Sequence, residues 1–273
     1  MTSVESEHPS EWGELTDDLI AGSFRIWQRR AGHRFSLDDV ATAFEAASAM
    51  PNAKRALDLG CGIGSVLHMV AHKLPNASIV GIEAQPISFG MVSKNVARNA
   101  GLHERTRLLH GDIRDEAILT DAIRDGKFDL VSGTPPYMPL GTSTISPDPQ
   151  RAGARVELRG GIEVYLKAGA FAVAEHGRVV VCADARTPER AFRGASEAGL
   201  TILRRRDVIP RAGVKGALFT VWTCARREDV GSVECEVAPP LVVRDEQGAR
   251  TEAAHAMRAF FDIPPNLDEP ASP

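Results

Sequence analysis

From residue 55 onward the sequence alternates strictly between short apolar runs and amphipathic segments, and this alternation constrains the fold more than any other feature. Seven runs have the length and composition of strands, and they lie at 55–60, 78–83, 105–112, 128–133, 177–184, 201–209 and 216–226. Helical periodicity separates the first six runs, and no helix separates the last two. The pattern predicts a doubly wound α/β fold with a mostly parallel, seven-stranded sheet that ends in an antiparallel hairpin.

The organisation around this sheet is simple, because no internal repeat or low-complexity tract interrupts the chain. The segment "SLDDVATAFEAASAM" predicts a helix that begins at Ser36, with Asp39 completing a capping box. The first residues are acidic and lack periodicity, which is typical of disorder. The predicted parts are a disordered N-terminus at 1–15, a helical segment at 16–54, one main domain at 55–262 and a tail at 263–273.

Composition excludes several classes of protein. No apolar run reaches the roughly 18 residues that a membrane helix needs, and the acidic N-terminus is the opposite of a signal peptide, so we expect no membrane partner and a cytoplasmic location. The four cysteines lack ligand-like spacing and predict reduced thiols, without a disulfide framework or a metal site.

Charge gives only a local signal. The net charge of −4 gives no global nucleic-acid signature. Arginine clusters at 29–34, 151–159 and 203–215 fit either solvated faces or contacts to phosphates.

Ligands of doubly wound sheets bind beyond the carboxyl ends of the strands. The first strand runs into "DLGCGIG", in which Asp58 is followed by Gly60 and Gly62. Glycines let the backbone turn tightly and approach a ligand closely. The G-x-G-x-G spacing differs from the G-x-G-x-x-G of dinucleotide enzymes, which argues against a nucleotide-dependent oxidoreductase.

Acidic residues follow the next two strands. Glu83 ends the second strand, where a carboxylate can accept hydrogen bonds from both hydroxyls of a ribose. Asp112 follows the third strand, where its carboxylate can accept a hydrogen bond from an adenine amine while Ile113 packs on the ring. These positions suit the sugar and the base of an adenosine group.

The fourth strand ends in a rigid corner, "TPPY", at residues 134–137. Two successive prolines lack the backbone N–H and fix φ, so the sheet cannot continue through them. The Thr134 side chain and the Pro135 carbonyl offer two fixed acceptors that can grip the hydrogens of a planar amine. An aromatic amine is a poor nucleophile because its lone pair is delocalised, and such a grip would orient it towards a methyl donor while Tyr137 stacks on the ring.

Taken in order, "DLGCGIG", Glu83, "HGD" and "TPPY" resemble the class I S-adenosylmethionine-dependent methyltransferases, in the branch with an Asn/Asp/Ser-Pro-Pro-aromatic motif. Within that branch, "RFSLDDVATAF", "ARVEL" and the segment 241–261 are similar to the bacterial tRNA (valine) adenine-N6-methyltransferases. The likeness covers about residues 15–262. It implies a Rossmann-like methyltransferase fold, S-adenosylmethionine as the cofactor, tRNA or another RNA as the partner, and transfer without a metal.

The resemblance also implies roles for single residues. Those that would hold S-adenosylmethionine are Asp58, Gly60, Gly62, Glu83, Asp112 and Ile113, with Arg34 and Asp38 at its amino-acid end. Those that would act on the substrate are Thr134, Pro135 and Tyr137. Asp38 and Asp39 fit equally well as acids at a helix N-terminus, where the helix dipole favours them.

One residue departs from the family pattern, which has Asn at the position of Thr134. Threonine offers a hydroxyl on a shorter, branched stem, so it still accepts a hydrogen bond but reaches less far. Two alternatives to an RNA adenine-N6-methyltransferase therefore stay open. One is a methyltransferase for a small molecule or a protein side-chain amide, and the other is a non-catalytic RNA-binding protein that retains the fold. The sequence leaves the oligomeric state undetermined.

Overall fold

The computed structural model describes residues 12–142 and 144–264. Its strands are β1 Leu15–Ala21, β2 Phe24–Arg29, β3 Arg55–Leu59, β4 Ser78–Glu83, β5 Thr106–His110, β6 Phe128–Gly133, β7 Val173–Asp184, β8 Leu200–Ile209, β9 Phe219–Arg226, β10 Glu236–Val237 and β11 Leu241–Val242. Its helices are α1 Leu37–Ala49, α2 Ser65–Lys73, α3 Pro86–Arg98, α4 Glu116–Ala122, α5 Pro149–Arg155, α6 Ile162–Ala172, α7 Pro188–Glu197, α8 Arg227–Val230 and α9 Glu252–Phe260.

Seven strands form the body of the central sheet, in the order β8-β9-β7-β6-β3-β4-β5. Neighbours are parallel from β7 to β5, whereas β9 runs antiparallel to both β7 and β8. The predicted doubly wound sheet and its closing hairpin are therefore confirmed. The two-residue strands β10 and β11 each pair in parallel with β8 and widen the sheet to nine strands. They are too short to show a strand periodicity in the sequence.

Helices cover both faces of this sheet. The alternation along β7 shows this, because Val180 and Cys182 join the core under α1, α2 and α3, whereas Val179 and Val181 join the core under α4, α6 and α7. Burial on both faces accounts for the nearly continuous apolar runs that marked these strands in the sequence.

The chain reverses its direction of winding at β3. Strands β4 and β5 follow on one side of β3, and β6 pairs with its other side, so that Leu59 lies between Ile82 and Gly133. A crevice forms where the connections from neighbouring strands leave in opposite directions. The glycine turn after β3 and the TPPY corner after β6 therefore start at the same edge of the sheet.

The N-terminal segment differs from the prediction. A helical segment was predicted at 16–54, but only its second half is helical, and β1 and β2 form an antiparallel hairpin instead. The side chain of Asn95 on α3 fixes the hairpin, because its Oδ1 accepts from the Trp27 N–H at 2.7 Å and its Nδ2 donates to the Trp27 carbonyl at 3.1 Å. Two polar contacts from a distant helix are not visible in the local sequence pattern. The helix α1 and its Ser36 cap are as predicted.

The structure also differs from the predicted boundaries at both ends of the described chain. Disorder was predicted for 1–15, yet Trp12 is buried and β1 begins at Leu15, so the prediction is corrected for 12–15. At the other end, Ile263 is buried in the core. The remaining predictions, disorder at 1–11 and a tail at 265–273, lie outside the described residues.

Two further expectations concern the whole chain. All four cysteines are free thiols, as predicted. None of the helices in the described part of the chain has the length and apolar character needed to cross a bilayer.

Candidate active site

The turn after β3 depends on its glycines. Gly60 and Gly62 have φ values of 60° and 57°, in the left-handed region that favours glycine. A Cβ at Gly60 would overlap the hydroxyl of Tyr165, whereas a Cβ at Gly62 would meet no atom within 4 Å. The turn therefore packs tightly against α6 on one side and leaves open space on the other.

Glu83 holds this turn in place. Its carboxylate accepts a hydrogen bond from the Gly62 N–H at 2.8 Å and another from the Gln85 N–H at 2.6 Å. Only 5% of Glu83 is exposed, and burial raises the pKa of its carboxyl. The carboxylate keeps lone pairs for a ligand, which is the chemistry needed to accept from ribose hydroxyls.

Asp112 and Ile113 complete one side of the same cavity, but Asp112 has partners that the sequence did not reveal. Its carboxylate accepts from Arg114 Nε at 3.0 Å and Nη2 at 2.8 Å, and Arg159 Nε lies 3.6 Å away. The hydrogen bonds from Arg114 lower the pKa of the Asp112 carboxyl. The predicted contact to an adenine amine would have to share the carboxylate with Arg114.

These elements enclose what we call the glycine-loop cavity. Its walls include five of the residues predicted to bind the cofactor, and these are Gly60, Gly62, Glu83, Asp112 and Ile113. The wall residues that the sequence did not reveal include His33, Gln150 and Tyr165. No local motif marks them. Gln150, for example, is buried, and its Oε1 accepts from Arg29 Nη1 at 3.1 Å and from the His33 N–H at 3.3 Å.

Asp58 is one of three predicted cofactor residues that do not line this cavity in the described structure, and the other two are Arg34 and Asp38. Asp58 is buried within β3, where its Oδ1 accepts from Ser132 Oγ at 3.2 Å and its Oδ2 has no partner among the described residues. Burial raises the pKa of Asp58 to about 7. Its position suggests a structural role beneath the glycine turn.

The TPPY corner is tied to the first turn of α1. The Thr134 hydroxyl donates to Asp39 Oδ1 at 3.2 Å, and the Tyr137 hydroxyl donates to Asp38 Oδ2 at 3.2 Å. Pro135 is buried between them. These contacts join the end of β6 to the start of α1, so the acids at that helix terminus belong to the site.

Beside this corner lies a second cavity, which we call the TPPY cavity. Its walls contain the three predicted catalytic residues, together with Arg34, Asp38, Arg151 and Arg155. The guanidinium of Arg34 donates to Thr16 Oγ1 at 2.6 Å and to Asp18 Oδ2 at 3.1 Å. Arg34 and Asp38, which were predicted to contact the cofactor, thus line this second cavity and not the glycine-loop cavity.

The two cavities meet at five residues that line both of them: His33, Asp39, Thr134, Pro136 and Ala154. One cavity has a glycine turn and a buried carboxylate, and the other has a rigid proline corner beside an aromatic ring. Ligands bound in the two cavities would meet at this junction, and a group-transfer reaction requires such proximity.

A separate group of possible metal ligands lies elsewhere. Glu175, His176 and Asp229 come together at the start of β7, where the His176 N–H donates to Asp229 at 2.8 Å. Glu175 and His176 are exposed, and the active-site cavities lie at the opposite end of the strands.

Comparisons with known proteins agree with this geometry. Residues 56–139 match the family model described as a methyltransferase domain. A predicted O-methyltransferase from Agrobacterium tumefaciens shares the fold, with a TM-score of 0.60 at 19% identity over 84% of this chain and 98% of that one.

Three relatives illustrate the range of similar proteins. A tRNA1(Val) (adenine(37)-N6)-methyltransferase of Bacteroides thetaiotaomicron is 29% identical over 70% of this chain and 76% of the relative. Another of the same name, from Porphyromonas gingivalis, is 32% identical over 52% of this chain and 55% of the relative. A release factor glutamine methyltransferase of Geobacter sulfurreducens is 30% identical over 43% of this chain and 38% of the relative.

The fold, the glycine turn with its partner Glu83 and the matching family model define the chain as a class I S-adenosylmethionine-dependent methyltransferase. Within that class, the resemblance to the bacterial tRNA (valine) adenine-N6-methyltransferases is confirmed by two of these relatives. The chain is thus an enzyme that uses S-adenosylmethionine, and the non-catalytic alternative is discarded. The open face of Gly62 and the lone pairs of Glu83 fit that cofactor.

Proposed function

We propose that this enzyme methylates an exocyclic amine, N6 of an adenine in tRNA, in the cytoplasm. S-adenosylmethionine supplies an electrophilic methyl group when bound in the glycine-loop cavity. The TPPY cavity would hold the base, with Tyr137 against its face and the Thr134 oxygen and Pro135 carbonyl as acceptors for the amine. A base must leave its stack to enter such a pocket, and an aromatic side chain offsets part of that cost.

The observation that carries this proposal is the arginine pair at the mouth of the TPPY cavity. Arg151 and Arg155 are both exposed and line that cavity. Among the residues that the structure describes, the Arg155 guanidinium has no hydrogen bond or ion pair. A free guanidinium beside an aromatic acceptor pocket suits a phosphate of the flanking nucleotides. Two relatives that cover 70% of the chain are named for a tRNA substrate, which supports the same assignment.

A second candidate is a glutamine side-chain amide in a protein. Leu218 lines the TPPY cavity and is 50% exposed, which suits an apolar peptide contact better than a nucleotide. The release factor glutamine methyltransferases among the relatives support this alternative. A planar amide presents the same N–H geometry to the corner as an adenine amine does.

One experiment separates these candidates. Label from radioactive S-adenosylmethionine is followed into total tRNA, protein and small-molecule fractions of a lysate that lacks this protein. Label in tRNA that digests to N6-methyladenine supports the proposal, and label in another fraction, or none, contradicts it.

Two variants then test the role of the arginine. Arg155→Ala should weaken tRNA binding and reduce the slope of log K against log salt by about one, the contribution of one phosphate contact. Arg124→Ala is the matched control, because Arg124 is also exposed but pairs with Asp121 near the amino end of β6, away from the cavities. An equal effect of both changes would mean that Arg155 has no special part.

A further inference from the structure

Thr134, which stands where the family pattern has Asn, is hydrogen-bonded to the carboxylate of Asp39. Thr134 Oγ1 donates to Asp39 Oδ1 across 95 positions of sequence, and both residues line the junction of the two cavities. By giving its hydrogen to Asp39, the Thr134 oxygen keeps its lone pairs for a ligand. The pair therefore presents a hydroxyl oxygen and a carboxylate oxygen where the family pattern has one amide oxygen.

Asp39 is unusual for a helix-capping acid. Only 8% of the residue is exposed, and it forms no ion pair with any Lys, Arg or His that the structure describes. Its Oδ2 accepts from the Ser36 N–H at 3.0 Å, which leaves Oδ1 at the junction with Thr134. A buried carboxylate without a cation is costly, so a neutral residue would serve the helix cap better.

The charge state of Asp39 depends on its surroundings. Burial, then the neighbouring Asp38, raises the pKa of Asp39 well above its usual value, and the hydrogen bond from Thr134 opposes this. The other titratable groups near it are Asp58 on β3, Cys182 on β7, Tyr137, and His33, which lines the same junction. Burial lowers the pKa of His33, which favours a neutral imidazole, and the remaining groups are acids. A cationic ligand in the glycine-loop cavity would therefore favour the ionised form of Asp39.

We propose that Asp39 is the proton acceptor of this enzyme, which Thr134 positions to receive an N–H of the substrate amine. This inference rests on the proposed function, because it requires an acceptor nitrogen. The nitrogen lone pair would form the new C–N bond to the methyl group, whose bond to the sulfonium sulfur would break with its electron pair staying on sulfur. The nitrogen loses one proton: its N–H bond breaks, that electron pair stays on nitrogen, and an O–H bond forms at Asp39 Oδ1. The proton then passes to water. An amide oxygen at this place accepts a hydrogen bond but does not take the proton.

The first test needs no substrate. Calorimetry of S-adenosylmethionine binding in two buffers of different ionisation enthalpy counts the protons released. Near neutral pH the wild type should release a fraction of a proton as Asp39 ionises beside the cationic cofactor, and Asp39→Asn should release less. Equal release by both proteins overturns the proposal, whatever the substrate proves to be.

The second test uses single-turnover methyl transfer over a range of pH, with the acceptor that takes label from the wild type. Asp39→Asn should lower the rate by about 100-fold and remove the acid limb of the profile, since general bases contribute roughly 10²–10⁴-fold. The affinity for S-adenosylmethionine should change by less than about threefold. A rate within threefold of the wild type, or an unchanged acid limb, overturns the proposal.

Thr134→Val keeps the carboxylate and removes the hydroxyl, so it separates position from charge. In the wild type the hydrogen bond from Thr134 lowers the pKa of Asp39, so its loss should raise that pKa and move the acid limb of the rate profile to higher pH. The rate should fall by about tenfold. Thr251→Val is the control, because Thr251 caps α9 by accepting from the Ala254 N–H, distant from the junction. A limb that stays in place in Thr134→Val contradicts the positioning role. No label in tRNA would contradict the proposed substrate. The Asp39 proposal is tested separately, by the ratio of the single-turnover rates of variant and wild type.

Discussion

The glycine-loop cavity and the TPPY cavity share a junction but are assembled by different kinds of contact. In the first, the Gly62 N–H donates to Glu83, 21 positions away and at the end of the neighbouring strand. In the second, Thr134 and Tyr137 reach Asp39 and Asp38, which lie 95 and 99 positions away. The glycine turn of the first cavity is thus held by main chain and one carboxylate, whereas the corner of the second is held by side chains of distant elements.

This difference predicts that the glycine turn tolerates fewer substitutions than the TPPY corner. A turn that needs glycine φ values and a carboxylate on a backbone N–H allows few substitutions. A side-chain pair such as Thr134 and Asp39 can change together and still fill the same space. Variation in the substrate is therefore expected to concentrate on the TPPY side.

The largest effect should come from Gly60→Ala. It tests the glycine turn and Glu83, which together we call the rigid half of the site. A Cβ would overlap the Tyr165 hydroxyl at a φ of 60°, so the turn has to move. We expect the Kd for S-adenosylmethionine to rise by at least about 100-fold, equivalent to about 3 kcal/mol. Calorimetry measures this.

Gly101→Ala is the matched control for that change. Gly101 has a φ of 76°, and its Cβ would meet nothing within 4 Å. It should lose about 1 kcal/mol of folding stability and keep its cofactor affinity. If Gly60→Ala also binds S-adenosylmethionine with normal affinity, the glycine turn is not rigid, and the contrast drawn between the two cavities is wrong.

The sequence predicts the rigid half well, for a physical reason. Strand runs, glycine spacing and acids after strands are local features, and parallel pairing brings their ends to one edge without further information. Gly60, Gly62 and Glu83 consequently line one cavity at the carboxyl ends of these strands, and their contacts to a cofactor stay a prediction.

Features that depend on long-range contacts could not be predicted in this way. The hairpin of β1 and β2 depends on Asn95 from α3, and Asp39 was interpreted only as a helix cap because its partner Thr134 lies on another element. One short-range contact was also not predicted. The hydrogen bond from Arg114 to Asp112 depends on side-chain rotamers, which the sequence pattern does not show.

The next largest effect concerns folding stability, because the glycine-loop cavity lies above the buried carboxyl of Asp58. Burial raises the pKa of Asp58 from 3.8 to about 7. The protonated form is favoured in the fold, so this contribution to stability is fully present below pH 3.8 and is lost as the pH rises to about 7. Asp58→Asn removes that loss and should be more stable than the wild type by about 2 kcal/mol at pH 8, with little difference at pH 4.

Denaturant unfolding of both proteins at several pH values measures this difference. Taking the difference cancels the contributions of other buried carboxylates, such as Glu83. A stability difference that does not vary between pH 4 and pH 8 would show that Asp58 titrates normally.

A third and smaller effect is expected for Glu83→Gln. The amide has one oxygen for the two backbone N–H groups of Gly62 and Gln85, so one donor loses its partner. The affinity for S-adenosylmethionine should fall about tenfold, which corresponds to the 1–3 kcal/mol cost of an unpaired buried group. Calorimetry tests this, and the KM for the acceptor should stay constant at saturating cofactor. A change confined to the acceptor KM would contradict the division into two cavities.

The smallest effect is expected for Tyr137→Phe, which removes the hydroxyl that donates to Asp38 and keeps the ring. The acceptor KM should rise by about two- to fivefold, equivalent to roughly 0.5–1 kcal/mol, with the cofactor Kd unchanged. Tyr165→Phe makes the same chemical change at the glycine-loop cavity and should leave the acceptor KM unaltered.

The double variant that combines Glu83→Gln with Tyr137→Phe tests whether the two cavities act independently. Because the two side chains line different cavities and have no hydrogen-bond partner in common among the described residues, their effects on kcat/KM should add within about 0.5 kcal/mol. A coupling energy above about 1 kcal/mol would mean that the halves respond to each other through their junction. The residues to test next would then be the five that both cavities share, beginning with Pro136, which is buried there.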